Sequence, residues 1–350
     1  MASAAQRRIK SISYAKYGYL FILPFFIVYF IFQFYPLINT FIVSFHGNGT
    51  EGIEKFVGLD NYKAILFGSS KRAIKMVHQK FFAALLNTVI LWVGNFIPQI
   101  TLSMALAVWF TEANTKIRGE GIFKIIMYLP NIITAASIAV LFLQLCGEAE
   151  NAPGVVNLML NKLHIVSQDP LSEKYDTIKF ITGKWQSRGV VMFIQTWMWF
   201  GNTMILLMTG ILKIDKSVFE AANVDGASSW QTFMNVTVPS LKSTLSYTLI
   251  TSMIGGLQMF DIPFLYHKDP NKVSDNLKTV AVYIYEYFHD QVDPKMGYAG
   301  AASVILFFIT VILGCIALYM MRDEYEIKIK KATKKSAKQA KLRDKQFGGF

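Results

Sequence analysis

Residues 215–243 carry a repeated spacing that predicts two short helices. Ser217 lies three residues before Glu220, and Ser228 lies three residues before Gln231. In such a capping box the hydroxyl accepts a hydrogen bond from the backbone N–H three residues on, and the side chain of that later residue bonds back. The stretch is therefore expected to fold as two capped helices in immediate succession.

The bend between these helices has the composition of a docking surface. Asp225–Gly226 predicts the turn, because glycine adopts a positive φ at a helix C-terminus, and Pro239 is expected to end the second helix because it lacks an N–H. Small residues allow close approach of a partner, and aromatic residues supply contact area. The residues expected to form this element are Glu220, Ala221, Ala222, Asp225, Gly226, Ala227, Trp230, Phe233 and Pro239. On these residues alone, a loop that merely covers the bundle remains the alternative.

The residue types and their spacing indicate neither a catalytic site nor a metal site. The five histidines are scattered, and Cys146 and Cys315 lie in or beside apolar blocks. The sequence has no metal-ligand spacing of Cys and His, no nucleophile motif and no GxxxxGK[ST] phosphate loop. We therefore expect no catalytic residue, no metal site and no cofactor bound by this chain.

Isolated polar side chains within long apolar blocks are the other candidates for function. A polar group at membrane depth is costly unless it faces a cavity or a partner. The alternative for each is an interhelical hydrogen bond or simple packing. Gly255–Gly256 predicts a close helix crossing or a local break. The candidates for a substrate path are Asn95, Gln99, Asn131, Gln195, Asn202, Gln258 and Asp261, with Trp197 and Trp199 as aromatic faces for stacking.

Long membrane helices must position these residues. Hydrophobic residues make up 53% of the 350-residue chain and charged residues 17%, against about 25% charged residues in soluble proteins. Crossing a bilayer takes roughly 20 apolar residues as a helix, and continuous rather than alternating blocks favour helices. The expected fold class is all-α, a polytopic transmembrane helical bundle of about six spans. The predicted spans are 18–44, 82–110, 122–145, 190–212, 244–264 and 300–321.

The distribution of basic residues predicts the orientation. The net charge is +12, and ten basic residues lie between Arg322 and Lys345. By the positive-inside rule both ends are cytoplasmic, and the tail contacts anionic lipid rather than nucleic acid. The expected division is a cytoplasmic segment 1–17, a transmembrane domain 18–321 and a basic cytoplasmic tail 322–350. The basic residues 71–80 fall outside on this topology, and a surface amphipathic helix would explain them.

Several segments together resemble the permease subunits of ATP-binding-cassette (ABC) importers of the binding-protein-dependent sugar transport family. Glu220-Ala221-Ala222, followed by Gly226 and Pro239, resembles the EAA loop of that family. The segments that agree with it are FVGLDNY at 56–62, NT at 87–88, YLP at 128–130 and MGYAGA at 296–301. The resemblance covers about residues 15–325. The outside loop at 146–189 is longer than is typical, and the tail beyond 325 is an extension.

The resemblance implies a type I importer permease fold and a transporter in which the membrane subunits and the ATPase subunits are separate proteins. The hairpin 215–243 would be the coupling element that sits in a groove of a separate ATPase, which would carry the ATP and Mg²⁺. The implied partners are a second homologous permease, two nucleotide-binding subunits, an extracellular solute-binding protein and membrane lipid. The implied cargo is a sugar or oligosaccharide, and the implied location is the bacterial cell membrane.

Two rival functions leave different signatures in a sequence. An ion-coupled secondary transporter needs a site of buried carboxylates, and Asp261 is the one plausible acid within a predicted span. Paired inverted repeats are not evident either. A membrane enzyme needs clustered catalytic groups, which the sequence does not offer.

Overall fold

The computed structural model describes residues 4–47, 55–112, 118–165, 176–267, 273–290 and 295–320, together with Thr333 and Ser336. Helices dominate these ranges, which confirms the all-α class. A short antiparallel pair, β1 (Glu148–Ala149) and β2 (Ala152–Pro153), joins two helices in the predicted outside loop. The predicted basic tail lies outside the described residues, apart from those two positions.

The described ranges contain fifteen α-helices, some of them short. Up to the predicted hairpin they are α1 (Ala4–Tyr29), α2 (Tyr35–Ser44), α3 (Asp60–Phe67), α4 (Arg72–Thr111), α5 (Glu120–Tyr128), α6 (Ala135–Leu145), α7 (Val155–Lys162) and α8 (Lys184–Ile211). From the hairpin onward they are α9 (Lys216–Val224), α10 (Ser229–Thr232), α11 (Val238–Ser240), α12 (Lys242–Leu257), α13 (Asp261–Leu265), α14 (Val280–His289) and α15 (Met296–Met320). Two π-helical turns, Phe30–Phe34 and Phe233–Thr237, continue α1 into α2 and α10 into α11.

Five helical stretches of the described chain are long and apolar enough to cross a membrane, and a bent pair makes a sixth. The bent pair joins Glu120–Asn131 to Ala135–Leu145 at an angle of 90°. The predicted third span is therefore broken rather than straight, because Pro130 lies in a 3₁₀ turn and Thr134 starts a new helix by accepting from Ser137 N–H at 3.3 Å. The five continuous stretches are Tyr17–Ser44, Arg72–Thr111, Lys184–Ile211, Lys242–Leu265 and Met296–Tyr319.

The basic residues 71–80 do not form a separate surface helix. From Arg72 onward they belong to α4, which continues without interruption for 40 residues to Thr111. At 1.5 Å per residue such a helix is about 60 Å long, roughly twice the hydrocarbon thickness. No glycine or proline occurs between residues 72 and 93 to end the helix, so its first turns extend beyond the apolar block.

Residues 1–83 and 280–307 form one compact unit, in which the FVGLDNY and MGYAGA segments meet the end of α2. Asn61 donates to the carbonyls of Ser44 and His46 at 2.9 and 2.7 Å, and the hydroxyls of Ser44 and Tyr62 lie 2.6 Å apart. A β-carbon at Gly300 would lie 3.0 Å from Ser44 N. These small sequence motifs therefore hold one helix end in place.

The described residues within 84–279 and 308–320 belong to the second unit, whose helices cross closely at glycines. A β-carbon at Gly201 in α8 would collide with the carbonyl of Met127, and one at Gly256 in α12 would collide with the Trp92 indole of α4. An apolar cluster, here called the basal cluster, lies at one end of α4 and α8. Its buried members are Ala107, Phe110, Met204, Leu207, Met208, Ile211 and Leu241.

The segment before α8 is tied down by a buried carboxylate. Glu148 is 6% exposed, and its side chain accepts from the N–H groups of Ile181 and Thr182 at 3.1 and 3.3 Å. Burial raises the pKa of the Tyr266 hydroxyl and the pKa of the Cys146 thiol, and these two groups hydrogen-bond to each other. The described part of the predicted outside loop is therefore packed onto the end of α13.

Asn87, from the NT segment, is the centre of a buried polar network. Its side chain accepts from the guanidinium of Arg188 and donates to the carbonyls of Asp275 and Lys278 at 2.8 and 3.0 Å. Arg188 also donates to the carbonyl of Asn276 at 3.1 Å and is 5% exposed. One asparagine thus connects α4, α8 and the segment before α14.

Replacing Asn87 by alanine should destabilise the fold. The change leaves a buried guanidinium, the buried carbonyl of Lys278 and the part-buried carbonyl of Asp275 without these hydrogen bonds, so the free energy of unfolding should fall by about 2–4 kcal/mol. Thermal unfolding of the purified transporter measures this. Asn202→Ala is the control, because the Asn202 side chain is exposed and makes no hydrogen bond with the described residues. Equal melting temperatures for the two variants would contradict the role of the network.

Candidate functional sites: a bent hairpin and a polar cavity

The hairpin begins at a different cap from the one predicted. Asp215 is the N-cap of α9, and its carboxylate accepts from Ser217 N–H at 2.9 Å. The predicted Ser217–Glu220 capping box is wrong, because Ser217 already lies within the first helical turn. The hydrogen bond from Ser217 lowers the pKa of the Asp215 carboxyl. A carboxyl whose pKa is lower in the folded state stabilises the fold above its unfolded pKa, and the stabilisation is lost as the pH falls through the folded value.

The bend between α9 and α10 follows the prediction. Gly226 has a φ of 73°. Its N–H donates to the carbonyl of Asn223 at 3.1 Å, and Ala227 N–H donates to that of Ala222 at 3.0 Å. These two bonds are the Schellman pattern that closes a helix end. A β-carbon at Gly226 would meet nothing within 4 Å, so glycine is required here by the backbone conformation alone.

The second arm of the hairpin is longer than predicted. The Ser228–Gln231 capping box is present, with bonds of 2.8 and 3.3 Å, as the spacing predicts. Pro239 does not end the helix, which runs on to Ser240. Val238 N–H donates to the carbonyl of Phe233, one residue further back than in an α-helix. This π-helical turn accommodates the missing N–H and the bulk of the proline ring.

The hairpin has a packed side and an exposed side. Phe219 is half-buried and packs against the basal cluster, which connects α9 to α8 and to Leu241 before α12. On the exposed side, Val224 is 87% and Trp230 69% exposed. The rings of Trp230 and Phe233 are in contact, with centroids 5.5 Å apart. The hairpin therefore presents two highly exposed apolar side chains, Val224 and Trp230, on the side away from the basal cluster.

The predicted docking residues lie mostly on that exposed side. Sequence reasoning missed the anchoring role of Phe219 and the exposure of Val224 and Met234. Helical spacing alone gives no sign of which apolar residue in a short helix faces the core. Among the predicted residues, Glu220, Ala221, Asp225 and Gly226 are exposed, whereas Ala222, Ala227 and Phe233 are half-buried.

A cavity of about 380 Å³ lies within the second unit and is lined by residues of α4, α6, α8, α12 and α13 and of the segment between α12 and α13. Trp92, Tyr247 and Phe260 add aromatic surface that the sequence reasoning did not single out. The structure places Asn131 in the bend of the third span and Trp197 against Phe142, with ring centroids 5.8 Å apart, and neither lines the cavity. The other seven predicted path residues do line it: Asn95, Gln99, Gln195, Trp199, Asn202, Gln258 and Asp261.

The lining polar groups divide into two kinds. Gln99 donates to the hydroxyl of Thr203 at 2.7 Å, and Asn95 donates to the carbonyl of Leu91 at 2.9 Å, so these two amides are engaged within the helices. The second kind consists of amide side chains that make no hydrogen bond with any described residue. These amides, which have capacity for a ligand, are Gln195, Asn202 and Gln258.

Both alternatives expected at Gly255–Gly256 occur. Gly256 permits the close crossing with Trp92, whose indole N–H donates to Ser252 at 3.2 Å. The helix then breaks after Leu257, and Gln258 lines the cavity from non-helical backbone before α13. Irregular backbone at membrane depth is tolerated where it lines a cavity.

Metal ligands are not brought together by the fold. Across the residues the structure describes, no group of three His, Cys, Asp or Glu side chains is placed to hold a metal ion. The scattered histidines of the sequence therefore stay scattered in the described structure.

Known proteins match this chain along most of its length. The family model described as binding-protein-dependent transport system inner membrane component matches residues 64–329. The lactose transport system permease protein LacF of Rhizobium radiobacter is 27% identical over 92% of this chain and 99% of its own length. The arabinooligosaccharides transport system permease protein AraP of Bacillus subtilis (strain 168) is 27% identical over 91% of this chain and 93% of its own.

Solved structures share the fold. A chain of a bacterial ABC transporter involved in the import of the acidic polysaccharide alginate matches with a TM-score of 0.72 and 22% identity, over 90% of this chain and 98% of that chain. A chain of the alginate transporter in complex with an alginate pentasaccharide-bound periplasmic protein also has a TM-score of 0.72, at 21% identity over 89% and 96% of the two chains.

Gly226→Val should open the bend of the hairpin, whereas Gly226→Asn should preserve it. A β-branched residue at a φ of 73° costs roughly 1–2 kcal/mol, and asparagine tolerates this conformation better. Hydrogen exchange of the Ala227 amide measures the difference, because that amide closes the bend. We expect exchange to accelerate about tenfold in Gly226→Val. Equal exchange in the two variants would contradict a conformational role for the glycine.

Proposed function

The chain belongs to the family of binding-protein-dependent transport system inner membrane components, and from that premise we propose that residues 215–243 couple it to a separate ATPase. The chain is a non-catalytic, multi-pass permease subunit of an ABC importer. In our proposal, ATP and Mg²⁺ bind the ATPase subunits and not this chain.

The two-sided hairpin is the observation that carries the coupling proposal. Its exposed side offers Val224 and Trp230 to a partner, with Glu220 as a polar contact beside them. Its packed side is fixed to the basal cluster by Phe219. A displacement imposed on the exposed side is therefore passed to α8 and α12, which line the cavity.

The cavity of the second unit is our candidate for part of the translocation path. Its free amides and aromatic faces suit a hydroxyl-rich ligand, since amides bond hydroxyls and aromatic faces stack on sugar rings. The names of LacF and AraP refer to lactose and arabinooligosaccharides. We propose a sugar or oligosaccharide as the cargo, delivered by an extracellular solute-binding protein.

The proposed assembly contains a second homologous permease and two nucleotide-binding subunits. It lies in the bacterial cell membrane, with both termini cytoplasmic and the basic tail against anionic lipid. An ion-coupled secondary transporter has no support: Asp261 is the one carboxylate among the described residues that line the cavity.

Val224→Asp should release the ATPase. A carboxylate placed in an apolar interface costs about 2 kcal/mol or more, so retention of the ATPase subunits should fall roughly 30-fold. Copurification from membranes measures it. Val155→Asp is the matched control, since Val155 is also exposed but lies on α7 in the predicted outside loop. Undiminished retention in Val224→Asp would overturn the docking role, and labelling of residue 224 from the exterior would overturn its orientation.

A further inference from the structure

We propose that the cavity selects cargo by charge, admitting neutral or cationic saccharides and rejecting acidic ones, with Asp261 as the discriminating residue. This inference rests on the proposed role of the cavity as a sugar path. It concerns the chemistry of the cargo, which neither the fold nor the coupling hairpin determines.

The described residues that line the cavity include a negatively charged side chain but no positively charged one. Asp261 is the one acidic residue among them, and no lysine, arginine or histidine is among the described lining residues. A site for a polyanionic saccharide needs cationic groups to offset the charge of each carboxylate. The described lining supplies neutral amides and hydroxyls in their place.

The Asp261 carboxylate is free to act on a ligand. Its side chain is exposed, and it forms no hydrogen bond or ion pair with any described residue. No lysine, arginine or histidine among the described lining residues offsets its charge, so the charge acts directly on a ligand in the cavity. It therefore repels a uronate carboxylate and attracts an ammonium group.

The remaining lining groups suit uncharged or cationic rings. Gln195, Asn202 and Gln258 can donate to and accept from sugar hydroxyls. Trp199 and Tyr247 present aromatic faces, which stack on the apolar faces of sugar rings and also attract cations. None of these groups carries a positive charge that would offset an anion.

The solved structures of similar fold come from an importer of an acidic polysaccharide. At 22% identity, this similarity shows a shared fold and does not extend to the cargo. Fold and cargo charge are separable, because the charge of a cavity depends on a few side chains that a shared backbone does not fix.

Direct binding to the complete transporter in lipid nanodiscs, without the solute-binding protein, tests the inference. Saturation-transfer NMR is recorded with three oligosaccharides of equal length: a neutral glucan, a cationic glucosamine oligomer and an anionic mannuronate oligomer. We expect the glucan and the glucosamine oligomer to bind at least about tenfold more tightly than the mannuronate. Asp261→Asn should reduce this discrimination to within about twofold, and Asp261→Lys should reverse it.

Asp60→Asn removes an exposed carboxylate that does not line the cavity and is the matched control, expected to behave as wild type. If mannuronate binds as well as glucan to the wild type, or if discrimination survives in Asp261→Asn, selection of cargo by the charge of Asp261 is wrong. The proposed role of the cavity as a sugar path is not contradicted by either result. If no oligosaccharide binds, the path itself is wrong and the inference falls with it. Retention of the ATPase subunits by the Val224→Asp variant is measured separately, and none of these binding results changes its interpretation.

Discussion

The contact of Phe219 with the basal cluster is the interaction on which the proposed mechanism depends. A nine-residue helix such as α9 is marginal by itself, because nucleation is costly and few hydrogen bonds repay it. Packing of one aromatic ring against the basal cluster gives the hairpin a fixed position. The same contact leaves the other side of the helix available. Without it, the exposed apolar residues would belong to a mobile loop and could transmit nothing to the membrane helices.

Hydrophobic block length predicted most of the fold. The long apolar runs located the six spans to within a turn or two of helix, except at the starts of α1 and α4, because a lipid solvent leaves few alternatives to a helix. The 90° bend of the third span was not predicted, since a proline inside an apolar run is compatible with either a kink or a break. The start of α4 was missed because hydropathy marks where a helix enters lipid, whereas the helix itself continues until a residue ends it.

Local hydrogen bonding was predictable where one residue had one good partner. The Ser228–Gln231 box and the positive φ of Gly226 are of this kind. At the other helix, Asp215 and Ser217 are both good caps, and their order in the chain does not say which is used. Among the polar span residues, depth in the membrane identified seven cavity residues, while Trp197 shows that spacing cannot tell a lining side chain from a packed one.

The crossing of α4 and α12 limits how the cavity can change shape. Gly256 touches the Trp92 ring where no larger residue fits, and one turn away the same indole donates to Ser252 at 3.2 Å. Sliding or twisting between these helices would break the hydrogen bond and drive the ring into the backbone. The crossing of these two helices is therefore fixed by a backbone contact and a hydrogen bond together, directly before the backbone becomes non-helical at residues 258–260.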